Sequence, residues 1–422
     1  MKKVLVITYY WPPSGGSGVQ RWLKFTKYLP DFGWQPLVFT PENPSFEVKD
    51  ESLVNDVPDE VEVIKLPIWE PYGLVNKLKG KGNQQSDLVK KKKKGLLAKI
   101  LLWIRGNCFI PDPRKFWVKP AVKVLEDLIV SNEIDVIITT GPPHSMHLIG
   151  HKLKQKLDVK WVADFRDPWT QWGLFQNFNM SQLAWNKHKK LEQMVLRDAD
   201  EVITVSHHYA EGLKELYQRD VHVITNGFDE AEFESVANIK PDKFVIRHLG
   251  VVDEHRNPWP LLNAVEKLVA QNVQINIEFV GNVNETLKEE IRERKELAGS
   301  VEFKPYVPHS EVLPLYRKSA VLLSLPMNAE NAKGNIPGKI FEYLAAKRPI
   351  LAIGDTTGDA AQIVKETGAG IIVEESDHEG IMNALLTMKK NFEDGTENAP
   401  SAIEKYTRKN LTEKLAQIMD RL

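Results

Sequence analysis

The sequence predicts an α/β protein made of two doubly wound parallel-sheet domains. Three observations predict it. Thirteen short apolar runs alternate with helical patterns along the chain, the order that parallel sheets with crossover helices produce. Several runs are apolar at consecutive positions, as strands covered on both faces are. At 422 residues the chain exceeds one ordinary domain and suits two of about 200 residues each.

The expected strands of the first half are 4–8, 35–39, 61–66, 136–139, 161–163, 201–205 and 221–224. Those of the second half are 244–249, 275–280, 301–304, 320–325, 350–353 and 370–373, with helices at 259–270 and 338–346 between them. A polar stretch without periodicity at 233–242 places the boundary, giving an N-terminal domain 1–236 and a C-terminal domain 237–400. Residues 401–422 read as a closing helix after a polar loop. The opening apolar run resembles a signal peptide only briefly. It is short and ends at Trp11-Pro12-Pro13, so a buried first strand is the expectation.

Composition narrows the class. Hydrophobic residues at 42% and charged residues at 27% exclude a disordered chain. Lys plus Arg is 56 against 57 Asp plus Glu, a net charge of −1, which argues against a nucleic-acid binder. Cys108 is the one cysteine, so neither an internal disulfide nor a cysteine zinc cluster is available, and a cytoplasmic location is expected. No run approaches the ~20 apolar residues that span a bilayer.

The neutral total hides unlike halves. Residues 1–200 carry 30 basic and 22 acidic side chains, a net +8, whereas 201–422 carry 26 and 35, a net −9. Ten of the eleven tryptophans lie in the first half. Residues 77–105, an insertion, hold ten basic side chains against one acid, Asp87, and include the run Lys90, Lys91, Lys92, Lys93 and Lys94. Leu96, Leu97, Ile100, Leu101 and Ile104 follow at helical spacing. A basic amphipathic helix of this kind suits an anionic membrane surface, with Lys90–Lys94, Leu97 and Leu101 as the contacts. A solvated insertion followed by a helix packed on its own domain fits the same pattern.

Ligands of open α/β sheets bind beyond the carboxyl ends of strands, so the strand-to-helix turns matter most. The first turn, residues 11–18, holds Gly15, Gly16, Ser17 and Gly18 before a helix with Val19, Trp22, Leu23 and Thr26 on one side. Glycines admit a close ligand and the helix start offers N–H groups to an anion. The spacing is neither a dinucleotide fingerprint nor a P-loop. Asp164, Arg166 and Asp167 follow a strand and offer carboxylates and a guanidinium for orienting hydroxyls or stabilising charge. A structural Arg–Asp pair closing that turn is the alternative.

His147 and His151 have helical spacing suited to a shared metal, but no acidic or cysteine partner lies near in sequence. Asp198 and Asp200 read as a surface turn. In the second half, Gly250 ends a strand and Arg256 precedes a helix. Gly338 opens another helix, with Lys339 on its first turn and Glu342 one turn later on the same face. A lysine beside free helical N–H groups suits a diphosphate, and a carboxylate accepts from vicinal hydroxyls. An exposed ion pair between the two is the alternative.

Together these strings carry a family resemblance over essentially the whole chain. The first turn with Trp11-Pro12-Pro13, then Asp164-Phe165-Arg166-Asp167-Pro168-Trp169, residues 199–206, 224–229 and 250–256, and Pro337-Gly338-Lys339-Ile340-Phe341-Glu342 follow one family's order. The chain resembles the family 4 glycosyltransferases of GT-B architecture. The resemblance implies two Rossmann-like domains facing across a cleft, with the C-terminal helix returning to the N-terminal domain. It implies that Arg256 and Lys339 hold a donor diphosphate, Glu342 the ribose hydroxyls, and Tyr306 with Val307 the nucleobase. Gly16 and Ser17 would face the transferred sugar or its phosphate, and Gly250 and Gly338 would line the donor site. Asp164, Arg166 and Asp167 would position the acceptor or stabilise charge. No cofactor and no metal are expected.

Two positions depart from the family. Gly334 stands where many relatives carry the first of two donor-loop glutamates, and Asn257 where many carry a donor-binding lysine. The leading expectation is a retaining glycosyltransferase that uses a nucleotide diphosphate sugar and a glycan or lipid-linked acceptor in cell-surface polysaccharide or glycolipid assembly. The enzyme would be cytoplasmic and peripheral on the inner face of the membrane, without a nucleic-acid partner. A sugar-nucleotide 2-epimerase of the same fold is the second reading. A non-catalytic membrane-associated partner subunit is the third, and intact Arg256, Lys339 and Glu342 speak against it.

Overall fold

The structure, a computed structural model, describes residues 1–46, 48–71, 96–234, 236–237, 239–253, 256–325, 332–396 and 399–422. Two compact units emerge, Met1–Thr225 with Arg408–Leu422, and Asn226–Thr407.

The first unit runs β1 (Lys2–Ile7), α1 (Ser17–Tyr28), β2 (Trp34–Pro41), β3 (Glu62–Leu66), α2 (Leu96–Cys108), α3 (Val118–Ser131), β4 (Val136–Gly141), α4 (Ser145–Lys156), β5 (Lys160–Phe165), α5 (Gln182–Asp198), β6 (Glu201–Thr204), α6 (His207–Leu216) and β7 (His222–Val223). The second runs α7 (Glu230–Glu234), β8 (Val245–Leu249), α8 (Trp259–Ala270), β9 (Asn276–Val280), α9 (Glu285–Glu293), α10 (Lys295–Ala298), β10 (Val301–Lys304), α11 (His309–Arg317), β11 (Val321–Ser324), α12 (Gly338–Ala346), β12 (Ile350–Ile353), α13 (Asp359–Glu366), β13 (Gly370–Val373) and α14 (His378–Asp394). The chain closes with α15 (Arg408–Met419), which returns to the first unit.

Each expected strand has its counterpart, and every pairing among the named strands is parallel. The first sheet has the order β3-β2-β1-β4-β5-β6-β7 and the second β10-β9-β8-β11-β12-β13. These are two Rossmann-like domains, each with the order reversing beside its first strand.

Strand β1 shows why the sheet is covered on both sides. Val4, Leu5, Val6 and Ile7 are all fully buried, yet side chains alternate between faces. Val4 and Val6 join Trp22, Leu23 and Phe25 of α1 and Leu411 and Leu415 of α15. Leu5 and Ile7 join Val122 and Leu125 of α3 and Met146 and Ile149 of α4. Burying each such side chain contributes roughly 1.5–3 kcal/mol, so a strand covered on one face only would forfeit half of that gain. The second unit repeats the arrangement: Leu351 and Ile353 of β12 pack with α8, Ile350 and Ala352 with α12.

The units divide at 225/226 and 407/408 rather than at 236 and 400. Phe228 and Phe233 explain the first crossing, since both are buried among Ile340, Phe341 and Leu344 of α12. Ile403 and Tyr406 join the same cluster, and the amide of Phe228 donates to the carbonyl of Tyr406 at 3.1 Å.

The tryptophan-rich first half spends Trp11, Trp22, Trp34, Trp117, Trp161 and Trp169 on its own core. On α2, the residue that packs against the core is Leu102, and Gly106 lies tight against Phe178 and Met180. Ile100, expected on the apolar stripe, is exposed together with Trp103, while Leu101 is half-buried. Lys90, Lys91, Lys92, Lys93, Lys94 and the side chain of Leu97 lie outside the described residues. Among the described residues no helix is long and apolar enough to cross a membrane.

Candidate functional site

In the second unit the strand order reverses between β8 and β11, which opens a crevice at their carboxyl ends. Gly250 leaves β8 with φ +138°, and a Cβ there would collide with the Nζ of Lys339. Only glycine meets both demands. Lys339, on the first turn of α12, reaches back so that its ammonium donates to the carbonyl of Leu249. Burial, followed by the charge of Arg256, brings the Lys339 ammonium down to about 8, with Glu342 opposing. Arg256 itself faces Asp253 at 3.9 Å and stays part exposed. The Arg256 guanidinium, the Lys339 ammonium and the positive N-terminal end of α12 form one electropositive spot.

Glu342, one turn further along α12, accepts a hydrogen bond from the Tyr316 hydroxyl of α11 at 2.6 Å. Burial and that carboxylate hold the Tyr316 phenol well above its ordinary range. Lys339 and Glu342 thus meet the Leu249 carbonyl and the Tyr316 hydroxyl, while the Glu342 carboxylate still favours the Lys339 charge. Beyond the ends of β9 and β10, a cavity of 360 Å³ is lined by Val280, Lys304, Val307, Glu311, Pro314, Leu315 and Lys318. Val307 forms part of its wall, whereas Tyr306 points outward and is 71% exposed. Asn257 bonds Glu375 at 2.8 Å and the amide of Trp259, fixing the turn ahead of α8. Gly334 is buried in a short 3₁₀ turn.

In the first unit the reversal lies between β1 and β4. Gly16 precedes α1 and Ser17 is its first residue. Arg166 ties three strand-end turns together: it donates to the carbonyls of Gly18 at 3.3 Å and Pro142 at 3.2 Å, and approaches Asp167 at 3.5 Å. A Cβ on Gly18 would strike the Arg166 guanidinium, so this glycine serves the arginine. The Asp167 side chain remains 42% exposed and is the carboxylate that solvent reaches.

Asp164 differs. It is fully buried, and its oxygens accept from Arg21 at 3.0 and 3.2 Å, the Trp22 indole at 2.9 Å and the Thr140 hydroxyl at 2.9 Å. With every one of these contacts internal, it fixes the turn and offers no open carboxylate. The structural alternative holds for it, with Arg21 as the partner. Beneath the turn, buried Glu192 of α5 accepts from the amides of Trp169 and Thr170 and from the Thr170 hydroxyl. One turn earlier, His188 receives the Trp169 indole N–H at 3.0 Å, and Trp169 stacks on His144 with centroids 4.7 Å apart.

The histidines of α4 diverge. His147 bonds Thr139 at 2.9 Å, whereas His151 pairs with Asp198 at 2.9 Å. An acidic partner therefore exists, but 47 residues away in sequence and for one histidine alone. Asp200 accepts from Lys154 and the Trp161 amide, so this pair of aspartates ties α4, α5 and β5 together. Among the described residues no group of three His, Cys, Asp or Glu is arranged for a metal.

Residues 16–232 match the family described as "Glycosyltransferase Family 4", and residues 243–391 match "Glycosyl transferases group 1". The first match alone covers more than half of the chain.

The chain belongs to glycosyltransferase family 4.

No curated protein matches the sequence of this glycosyltransferase significantly. Its fold is similar to that of HepE from Anabaena in complex with UDP, at 15% identity and a TM-score of 0.65 with all of both chains covered. It is similar to sucrose-phosphate synthase from Thermosynechococcus elongatus, at 15% identity, a TM-score of 0.63, and 100% and 99% coverage. A TarM variant from S. aureus in complex with fondaparinux, a GlcNAc-glycerol and UDP gives 11% identity and a TM-score of 0.60 over all of both chains. Two Rossmann-like units and these neighbours place the glycosyltransferase in the GT-B fold class.

Sequence reasoning singled out Gly250, Arg256, Gly338, Lys339 and Glu342 because they sit in local strand-end and helix-start strings. It missed Tyr316, joined to Glu342 only by folding, and in the first unit Arg21, joined to Asp164, and Glu192 and His188, joined to the turn at Trp169 and Thr170. His248, just before Gly250 in sequence, is fully buried and donates to the carbonyl of Leu323. Burial and Lys339 drive it down to about 3, so it stays neutral beneath the cations.

Proposed function

We propose that this glycosyltransferase moves a sugar, with retention at the anomeric carbon, from a nucleotide diphosphate sugar to a hydroxyl of a glycan or lipid-linked acceptor. The carrying observation is Lys339 on the first turn of α12, turned onto the Leu249 carbonyl beside Gly250 and repelled by the charge of Arg256 ahead of α8, a repulsion that a diphosphate relieves. Glu342 supports the ribose hydroxyls, and the cavity walled by Val307 supports the nucleobase. HepE binds UDP and UDP-glucose, which makes UDP-sugars the first donors to try.

In the proposed reaction the bond from the anomeric carbon to the diphosphate breaks while the acceptor oxygen bonds to the same face. The acceptor proton passes to the departing diphosphate oxygen. Arg256, Lys339 and the α12 N–H groups take up the charge on that leaving group, so the step calls on no metal. In the first unit, Arg166 and Asp167 position the acceptor, and Asp164 holds their turn in place. The pathway proposed is cell-surface polysaccharide or glycolipid assembly, with the enzyme attached peripherally to the inner face of the membrane.

The test is calorimetry with UDP and other nucleoside diphosphates on the wild type, Lys339→Ala and Glu342→Ala. Each lost charge-assisted contact is expected to weaken binding roughly tenfold to a hundredfold. Unchanged affinity in both variants would overturn the donor site. Diphosphate release that requires an acceptor supports transfer, whereas interconversion of the free sugar nucleotide would point to an epimerase.

A further inference from the structure

One face of the first unit gathers apolar side chains that the glycosyl-transfer reading leaves unused. Trp69 follows β3 and is 56% exposed, Phe116 lies in the 3₁₀ turn Pro113–Trp117 at 44%, and Trp103 of α2 stands at 48%. Ile100 of α2 and Leu183 on the first turn of α5 are exposed as well. Contacts connect these segments. Trp69 meets Phe116 edge-on at 5.1 Å, Phe116 meets Phe109 at 6.1 Å, and Phe109 directly follows α2. Asn107 of α2 donates to the carbonyl of Trp103 and accepts from the amide of Ser181, which caps α5.

Cations frame the rings. The Lys115 ammonium sits 5.5 Å from the Phe109 ring and 5.3 Å from the Phe116 ring, within cation–π range. Lys187 of α5 is close enough to repel it. Lys99, Lys187, Lys189 and Lys190 are exposed. Between 96 and 116 the single acid is Asp112, which is turned inward to the amides of Arg114 and Ser145, and 181–190 contain none. Glu70, beside Trp69, is buried against Arg114 and Tyr9.

We infer that this face docks on an anionic lipid bilayer, with Trp69, Trp103 and Phe116 seated at the headgroup–acyl boundary and the lysines on the headgroups. The inference rests on the proposed peripheral attachment and names the surface that makes it. Amphipathic aromatic rings favour that boundary, and each lysine near an anionic surface adds attraction. Charge selects the occupant: a second copy docked face to face would bring these lysines against one another. The anchor is therefore a folded surface built from four segments, 69–70, 96–109, 113–117 and 181–190.

Flotation with vesicles of phosphatidylcholine alone and of phosphatidylcholine with phosphatidylglycerol tests this, using the full chain without nucleotide. Binding to the anionic vesicles is expected, with a blue shift of tryptophan emission and quenching by brominated lipid. Raising salt from about 0.1 M to about 0.5 M should weaken it. The triple variant Trp69→Ser, Trp103→Ser, Phe116→Ser should lose about tenfold or more in vesicle affinity, since each ring removes interfacial apolar area. Its melting temperature, and the shift on adding UDP, should match the wild type.

Equal vesicle binding by wild type and triple variant would overturn the docking surface, as would the absence of any preference for anionic lipid. A wild-type dimer that the triple variant converts to a monomer, with vesicle binding unchanged, would assign the face to a second copy. Because UDP is scored separately, failure of the docking surface leaves the donor-site reading standing, and the reverse.

Discussion

Lys339 carries its charge under pressure from burial and from Arg256, and at about 8 it titrates within an accessible range. Affinity for a nucleoside diphosphate should therefore fall as pH rises from 7 to 9. Lys339→Arg should flatten that profile, because a guanidinium keeps its charge. Calorimetry across the range checks this, and a flat wild-type profile would contradict it. Glu192 is the opposite case, a carboxyl pushed by burial from 4.5 up to about 7. The folded chain holds that proton more tightly than the unfolded chain, so this stabilisation is full below about 4.5 and is lost as pH rises through 7. Glu192→Gln imitates the protonated form. Relative to wild type it should gain stability between pH 5 and 8, by up to about 3 kcal/mol, read from urea melts. Lys339 and Glu342 were legible because a helix start is local chemistry. The role of Asp164 was not, since Arg21 and Trp22 lie 143 and 142 residues before it.

Helices α8 and α12 occupy the residues their periodicity predicts, 259–270 and 338–346. Their apolar positions form one clean face and a proline sits at or just before each start. Helix α2 was harder to orient. Residues 100–104 are Ile, Leu, Leu, Trp and Ile, apolar on every side, so periodicity alone could not say that Leu102 would face inward and Ile100 outward. Only the neighbours Phe178 and Met180 decide it. Helix α15 has a definite inner face: Leu411, Leu415 and Met419 are buried, while Lys414 is exposed. Leu415→Ala should cost about 2–5 kcal/mol in denaturant melts, whereas Lys414→Ala should stay within about 0.5 kcal/mol. Similar costs for the two would refute the packing described.

At the scale of the molecule, the parallel sheets were legible because buried strands announce themselves as continuous apolar runs. The crossings at 225/226 and 407/408 were not, because isolated aromatics such as Phe228 and Tyr406 choose their unit by packing. Buried histidines set the acid response. His144, His147 and His188 in the first unit and His248 in the second are all lowered by burial, the latter three to about 3, 4 and 3. The stability they contribute is present above 6.5 and lost as pH falls, at about 1.4 kcal/mol per unit for each histidine. Three against one predicts that the first unit weakens faster on acidification, even after Glu192 offsets one proton between 4.5 and 7. Hydrogen exchange at pH 7, 5.5 and 4.5 would show it as earlier loss of protection in β1 and β4 than in β8 and β11. The return of α15 has a consequence in time. A ribosome completes the whole second unit before it releases the helix that covers Val4 and Val6. The domain made first is finished last, and until then its open sheet face is a surface for chaperones.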